Sequence, residues 1–113
     1  MKTLQVMTNR ELLGLAAKAA GIELRWHPDG AAYSDSRCKD YWGVWNPIAD
    51  DGDALRLAVK CNLLVCVGYG SVSACLQDDG SFHRTEETKN DPYAATRRAI
   101  VRAAAEIGRN LKK

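Results

Sequence analysis

The fold is decided by one stretch of sequence, residues 91–111, which reads DPYAATRRAIVRAAAEIGRNL. Asp91 followed by Pro92 is typical of a helix start, because an aspartate caps free backbone N–H groups and proline fits the first helical position. Apolar residues then recur at helical spacing, which predicts one long amphipathic helix. The predicted core stripe is Ile100, Ala103, Ala104, Ile107 and Leu111, opposite Arg98, Arg102, Glu106 and Arg109.

Outward from this helix, the chain begins with a second helical signal. Thr8 and Glu11 have the spacing of a capping box ahead of an apolar run, and Gly21 marks a helix end. We therefore predict a helix from about Asn9 to Ala20. A shorter helical pattern, with Leu55, Ala58 and Val59 at helical spacing, runs to Lys60. Alternation and turn residues predict strands over 22–27, 31–34, 63–67, 72–76 and 82–85.

These segments add up to three helices and four or five short strands. Because turns join consecutive strands, most pairs should be antiparallel. The predicted fold class is α+β, a small mainly antiparallel sheet of four or five strands sandwiched by three helices on its two faces. The 113 residues fit a single domain, 1–113. Met7 offers a second start, which would make residues 1–6 a dispensable extension.

The composition indicates the cellular compartment of the protein and the state of its cysteines. No apolar run approaches the roughly 20 residues of a membrane span, and the first residues lack a signal peptide's apolar region. We expect a cytoplasmic protein without a membrane partner, whose cysteines are reduced and mostly buried. The alternative is a zinc site, but its spacings are unlike the usual ligand patterns. Its ligands would be Cys61, Cys66, Cys75 and His83.

The net charge of +2 is too small to imply nucleic acid by itself. Basic residues nevertheless concentrate over 93–113, which form either a solvated face or one anion-facing surface. Acidic residues gather at Asp50, Asp51 and Asp53. This acidic cluster lacks the EF-hand pattern for a cation, so capping of a helix N-terminus explains it better. Nucleic acid is not an expected partner, since no helix-turn-helix signature accompanies the basic residues.

Two segments carry a resemblance to a known family. They are WNPIADDGDALRLAV, residues 45–59, and DPYAATRRAIVRAAAEIG, residues 91–108. Both resemble small hypothetical proteins of tailed bacteriophages and prophages, a group similar to the phage α-β-α (ABA) sandwich domain family. The resemblance implies a phage accessory protein acting in the bacterial host cytoplasm. Small phage accessory proteins often serve counter-defence, and several unrelated small phage folds sequester nucleotide immune signals. We take such a role as an expectation for this chain.

The aromatic segment Tyr41, Trp42 and Trp45 with Asn46 is the first candidate for a ligand wall. Successive strand residues point to opposite faces, so Trp42 and Trp45 cannot share one face of a regular strand. An exposed tryptophan would be a stacking platform for a base. The commoner arrangement is that both tryptophans close the core beneath the helices.

The second candidate lies at the start of the last helix. Asp91 competes as the cap for the free N–H groups there, so an anion site is expected further in, at Arg97 and Arg98. Successive helical residues differ by about 100°, so at most one of these arginines faces a given site. The alternative, which weighs more, is that both arginines are solvated or pair with Asp50, Asp51 or Asp53.

No catalytic motif supports an enzyme: the chain has no nucleophile elbow, HExxH or phosphate loop. We expect no catalytic residue, cofactor or metal. The leading hypothesis is sequestration of a small anionic nucleotide-type ligand by a homodimer or higher homo-oligomer. The alternative is a protein-interaction module that inhibits or adapts a host or phage protein. The predicted ligand residues are Trp42, Trp45, Asn46, Arg56, Tyr93, Arg97 and Arg98.

Overall fold

The computed structural model describes residues 7–26, 28, 30, 32–34, 43–77, 80, 84–88 and 90–111. Residues 1–6, Tyr41, Trp42 and His83, for which the sequence made predictions, lie outside these ranges. The helices of the described chain are α1 (Asn9–Ala20), α2 (Asp51–Lys60) and α3 (Pro92–Asn110). The strands are β1 (Leu24–Trp26), β2 (Ala32–Ser34), β3 (Gly43–Val44), β4 (Leu63–Val67), β5 (Ser71–Leu76) and β6 (Arg84–Glu87).

The helix ends follow the local signals in the sequence. The Thr8 hydroxyl accepts from the Glu11 backbone N–H at 3.2 Å, and Glu11 Oε1 accepts from the Thr8 N–H at 2.9 Å, so the predicted capping box is confirmed. Gly21 ends α1 with φ +70°, a left-handed conformation that suits glycine. Asp91 caps α3 by accepting from the Ala94 N–H at 3.0 Å. The start predicted at Asp91-Pro92 is therefore confirmed.

The strands form two sheets rather than one. β1, β2 and β3 make one three-stranded antiparallel sheet, and β4, β5 and β6 make a second. The α+β class and the antiparallel pairing are confirmed. The prediction of one sheet with four or five strands is wrong, since each sheet has three. Helix α2 separates β3 from β4 along the chain, and among the described strands β4–β6 pair with one another and not with β1–β3.

The two faces of the β4–β6 sheet have different surroundings. Val72 and Ala74 are fully buried against the alanines of α3, and Val65 and Val67 stand opposite them in register on β4. Leu64 and Cys66 point to the other face and are exposed. For the described residues, helices therefore cover one face of this sheet. The prediction that helices sandwich the sheet on both faces is wrong here.

The long helix α3 is buried on two sides, and its own side chains on both sides are small. Ala95, Ala99 and Ala103 pack against the β4–β6 sheet, and Ala104 and Ala105 belong to the cluster shared with α1. Side chains no larger than a methyl group allow the backbones to approach closely.

Gly108 marks the tightest point of the α1–α3 contact. A Cβ atom built there would lie 1.9 Å from the Leu15 carbonyl oxygen and 2.8 Å from the Leu15 carbonyl carbon. Both are backbone atoms, which cannot rotate away. Only glycine fits this position without moving the two helices apart.

The predicted core stripe of α3 is confirmed at three positions. Ile100, Ala103 and Ala104 are buried, and Ile107 is half-buried. Leu111 is exposed, because α3 ends at Asn110 and the chain there no longer faces α1. The predicted stripe is therefore wrong at its last member, Leu111.

We expect Gly108→Ala to lower the free energy of unfolding by about 1–3 kcal/mol, because the added methyl group overpacks the α1–α3 contact. Gly14→Ala is the matched control. It is also a helical glycine, and a Cβ there meets nothing within 4 Å. The control should gain about 0.5–1 kcal/mol from helix propensity. Urea denaturation measures both. A Gly108→Ala protein as stable as the Gly14→Ala protein would contradict the close contact.

Candidate functional site

An open groove of about 550 Å³, which we call the α2–α3 groove, lies between α2 and α3. Its floor is β4, and the two helices form its walls. Asp50 positions α2 by accepting from the Asp53 N–H at 2.7 Å, and Asp91 positions the start of α3 in the same way. The lining residues are mostly apolar: Asp51, Ala54, Leu55, Ala58, Val65, Val67, Pro92, Tyr93, Thr96, Arg97 and Ile100.

One ion pair supplies the charge at the groove. Arg97 Nη1 donates to Asp51 Oδ1 at 2.5 Å, and Arg97 Nε donates to the Ile48 carbonyl oxygen at 2.7 Å. The Arg97 side chain is largely buried, whereas that of Asp51 is 68% exposed. Arg97 therefore ties α3 to the turn before α2 and presents its guanidinium group to the groove. The pairing with Asp51 is among the alternatives left open by the sequence.

Tyr93 and Thr96 stand on the α3 side of the groove. The Tyr93 side chain is largely exposed, so its ring is accessible to a ligand. The Thr96 hydroxyl donates to the Pro92 carbonyl oxygen at 2.7 Å and can still accept a hydrogen bond. The groove thus combines apolar walls with one aromatic ring, one hydroxyl group and one guanidinium group.

The other predicted ligand residues that the structure describes do not line the groove. Trp45 is buried in the core shared with α1, the arrangement that the sequence left as the alternative to a stacking platform. Trp45 and Arg56 line a second cavity of about 380 Å³, separate from the lining of the α2–α3 groove. Trp42 lies outside the described residues. The structure therefore brings Tyr93 and Arg97 together in the α2–α3 groove, and Trp45 and Arg56 together in the second cavity.

The second cavity is organised by Asp53, the buried charged residue of the described core. Its Oδ1 accepts from Arg56 Nη2 at 2.7 Å, and its Oδ2 accepts from the Asn46 backbone N–H at 3.0 Å. These bonds compensate for burial of the carboxylate. Asn46 Oδ1 is buried without a hydrogen-bond partner among the described residues. Arg56 and the Asn46 backbone thus serve the local structure around Asp53.

Arg98 lies on the other side of α3 from the groove. Arg98 Nε is 3.4 Å from Glu86 Oε1, and Arg102 Nη1 donates to Glu86 Oε2. A carboxylate of β6 therefore binds both arginines. The predicted alternative partners of Arg98 were the aspartates of the acidic cluster, and that expectation is wrong. Glu86 belongs to β6, which continues beyond residue 85, where the predicted strand ends.

The sequence missed the apolar residues that line the groove. The spacing of Leu55, Ala58 and Val59 predicts a helix but assigns none of them to a site. Leu55 and Val59 are 64% and 74% exposed, while Ala54 and Leu57 are buried. A signal was present, because apolar residues at 54, 55, 57, 58 and 59 span too much of a helix for one core-facing stripe. Such a helix has an apolar side that its own domain leaves uncovered.

The zinc site that the sequence left as an alternative can be compared with the positions of its ligands in the structure. Within the described ranges, no three His, Cys, Asp or Glu side chains are placed to hold a metal ion. Of the proposed zinc ligands, Cys61 is buried, Cys66 is exposed and Cys75 is half-buried, and His83 falls outside those ranges. Burial raises the pKa of the Cys61 thiol from 9.0 to about 11, although the Lys60 charge opposes this shift.

Comparison with known proteins identifies no matching family model, no matching curated protein and no matching solved structure. The geometry of the described residues is therefore the basis for the function proposed below. None of the described helices has the length and apolar character needed to cross a membrane.

We expect Cys61 to resist alkylation in the folded protein. At pH 9, a thiol of pKa about 11 is ionised in only about one molecule in a hundred, and Cys61 is also buried. Two variants with a single cysteine each, Cys61 or Cys66, are treated with iodoacetamide and followed by mass spectrometry. Cys61 should react at least about tenfold more slowly than Cys66, and urea should remove the difference. Equal rates in the folded state would contradict the burial of Cys61.

Proposed function

We propose that this chain is a non-catalytic binding protein, and that the α2–α3 groove holds a small ligand with a flat apolar ring and an anionic group. The observation that carries the proposal is the groove itself. Its volume of about 550 Å³ lies in the range of small-ligand sites, and such sites combine apolar walls with a few polar groups.

A nucleotide-type ligand with few charges has this chemistry. A base can stack on Tyr93, whose ring is exposed at the groove. The phosphate can approach Arg97, which uses Nε and Nη1 for Ile48 and Asp51 and keeps the donors of Nη2. One guanidinium group suits a single phosphate better than a chain of them. Tyr93 and Arg97 are thus the proposed ligand residues, with Thr96 as a hydrogen-bond acceptor.

The biological setting of the proposal is a phage accessory protein in the bacterial host cytoplasm. It rests on the resemblance of residues 45–59 and 91–108 to the phage ABA sandwich domain family. Within that setting, binding alone is sufficient for counter-defence. A protein present in excess over a nucleotide signal lowers the concentration of free signal by mass action, without changing any bond in it.

Calorimetric titration with AMP, ADP-ribose and cyclic dinucleotides tests the proposal, with Tyr93→Ala as the first variant. Loss of base stacking costs about 1–3 kcal/mol, so affinity should fall about tenfold or more. Tyr69→Ala is the matched control, because Tyr69 is also an exposed tyrosine but does not line the groove. This control should bind like the unmodified protein.

The charge at the groove is tested by a second pair of variants. Arg97→Gln should weaken binding, whereas Arg98→Gln, which removes a guanidinium group on the Glu86 side of α3, should not. Circular dichroism checks that each variant is folded. If no compound binds, or if the groove variants and their controls bind alike, the nucleotide proposal is wrong.

A second candidate function is a protein-interaction module. The observation that favours it is that three apolar side chains lining the groove, Leu55, Val67 and Tyr93, are mostly exposed. Contiguous apolar patches of this kind commonly mark protein interfaces. The occupant would be a segment of a host or phage protein that places apolar side chains in the groove and an acidic group near Arg97.

Site-specific photo-crosslinking in bacterial lysate distinguishes this candidate. A photoreactive residue at Tyr93 should crosslink one stoichiometric partner, and Leu55→Arg should abolish the product, because it places a charge in the apolar groove. The same photoreactive residue at Tyr69 is the control. Equal crosslinking from both positions, or a product unaffected by Leu55→Arg, would exclude the groove as the interface.

A further inference from the structure

Among the strands that the structure describes, β4 lies at the edge of its sheet and has an unusual composition. It ends the sheet order β4-β5-β6, and its five residues, Leu63–Val67, include neither a charge nor a proline. Edge strands of monomeric proteins commonly carry lysine, proline or a bulge, which prevent another strand from pairing there. β4 has none of these protective features, although Leu64 and Val67 are exposed.

The hydrogen bonds at the two ends of the β4–β5 ladder show which backbone groups face the edge. The Gly68 N–H donates to the Ser71 carbonyl oxygen at 3.0 Å, and the Gln77 N–H donates to the Asn62 carbonyl oxygen at 2.9 Å. In an antiparallel ladder only every second pair exchanges bonds. The bonded residues of β4 are therefore the even-numbered ones. The N–H and C=O groups of Leu63, Val65 and Val67 point away from β5.

Helix α2 places an apolar row beside this edge. Leu55 lines the α2–α3 groove together with Val65 and Val67 of β4. Val59 lies one turn further along on the same side of α2, and both side chains are mostly exposed. A strand-like peptide bound at β4 would form hydrogen bonds with its outward N–H and C=O groups. It would leave Leu55 and Val59 of α2 exposed.

We propose that a second copy of this chain pairs with β4 in antiparallel orientation, with the twofold axis at Val65. Leu63 of each copy then lies opposite Val67 of the other, and the outward N–H and C=O groups bond to one another. The two β4–β6 sheets become one continuous sheet. A second copy also brings its own Leu55 and Val59, so the two α2 helices bury their exposed apolar rows against each other.

The charges on α2 fit this arrangement. The twofold axis sets the two α2 helices antiparallel, so the acidic start of one helix, with Asp51, approaches the end of the other, with Lys60. The helix dipoles are then also antiparallel, which is favourable. No charged residue of β4 enters the interface. This inference goes beyond the proposed ligand binding and rests only on β4 and α2.

Sedimentation velocity of the full chain without ligand tests the inference. The unmodified protein should sediment as a dimer at tens of micromolar, and Val59→Lys should raise the dimer dissociation constant at least about tenfold by burying a charge. Val59 is mostly exposed, so the variant should fold normally. Val44→Lys is the matched control, since Val44 is an exposed valine on β3 of the other sheet. It should leave the dimer unchanged.

A crosslink tests the register of the pairing. With the axis at Val65, the Cys66 side chains of the two copies lie on the same face, diagonally about 7–8 Å apart. In a Cys38→Ser, Cys75→Ser protein, a bismaleimide of that length should join two copies, and Cys66→Ser should prevent it. A protein that stays monomeric at all concentrations overturns the inference. So does a dimer unaffected by Val59→Lys, or one that Cys66 does not crosslink.

Discussion

The structure depends on the close packing of α3 between α1 and the β4–β6 sheet. Methyl-sized side chains at Ala95, Ala99 and Ala103 set the distance to the sheet, and Gly108 sets the distance to α1. Since α3 occupies this central place along most of its length, α2 contacts α3 and β4 without covering them fully. The open wedge that remains above β4 is the α2–α3 groove. The site is thus a consequence of how the core is packed.

The charges of the chain mainly support this packing. Arg97 ties α3 to the turn before α2, Glu86 holds Arg98 and Arg102, and Asp53 holds Arg56. Partly exposed ion pairs of this kind each contribute only about 0–1 kcal/mol. Burial of apolar surface contributes roughly 25 cal/mol per Å², so an exposed apolar row such as Leu55 and Val59 has more to gain from a partner. A ligand or partner would therefore gain most from the exposed apolar surface, and Arg97 would supply the charged contact.

Features encoded by residues close together in the sequence could be predicted, whereas contacts between distant residues could not. The starts of α1 and α3 are encoded by adjacent residues, and both predictions were confirmed. The division into two sheets was missed because strand partners are chosen across the whole chain. The same applies to Arg98, whose partner Glu86 lies across a sheet contact. Leu55 and Val59 have the same apolar chemistry as core residues, so composition alone could not assign them to an exposed surface. Tyr93 and Arg97 were the predicted site residues that the fold brings to one groove.

Ligand binding in the α2–α3 groove is the step on which the proposed function depends. Methyl NMR during titration with an aromatic sulfonate, which combines flat apolar rings with one negative charge, tests it most directly. We expect shifts of the Ala54, Ala58 and Ile100 methyl groups, all of which line the groove. We expect none at Ala20 and Ile22, which line the second cavity. Shifts confined to Ala20 and Ile22, or no shifts at saturating probe, would contradict it.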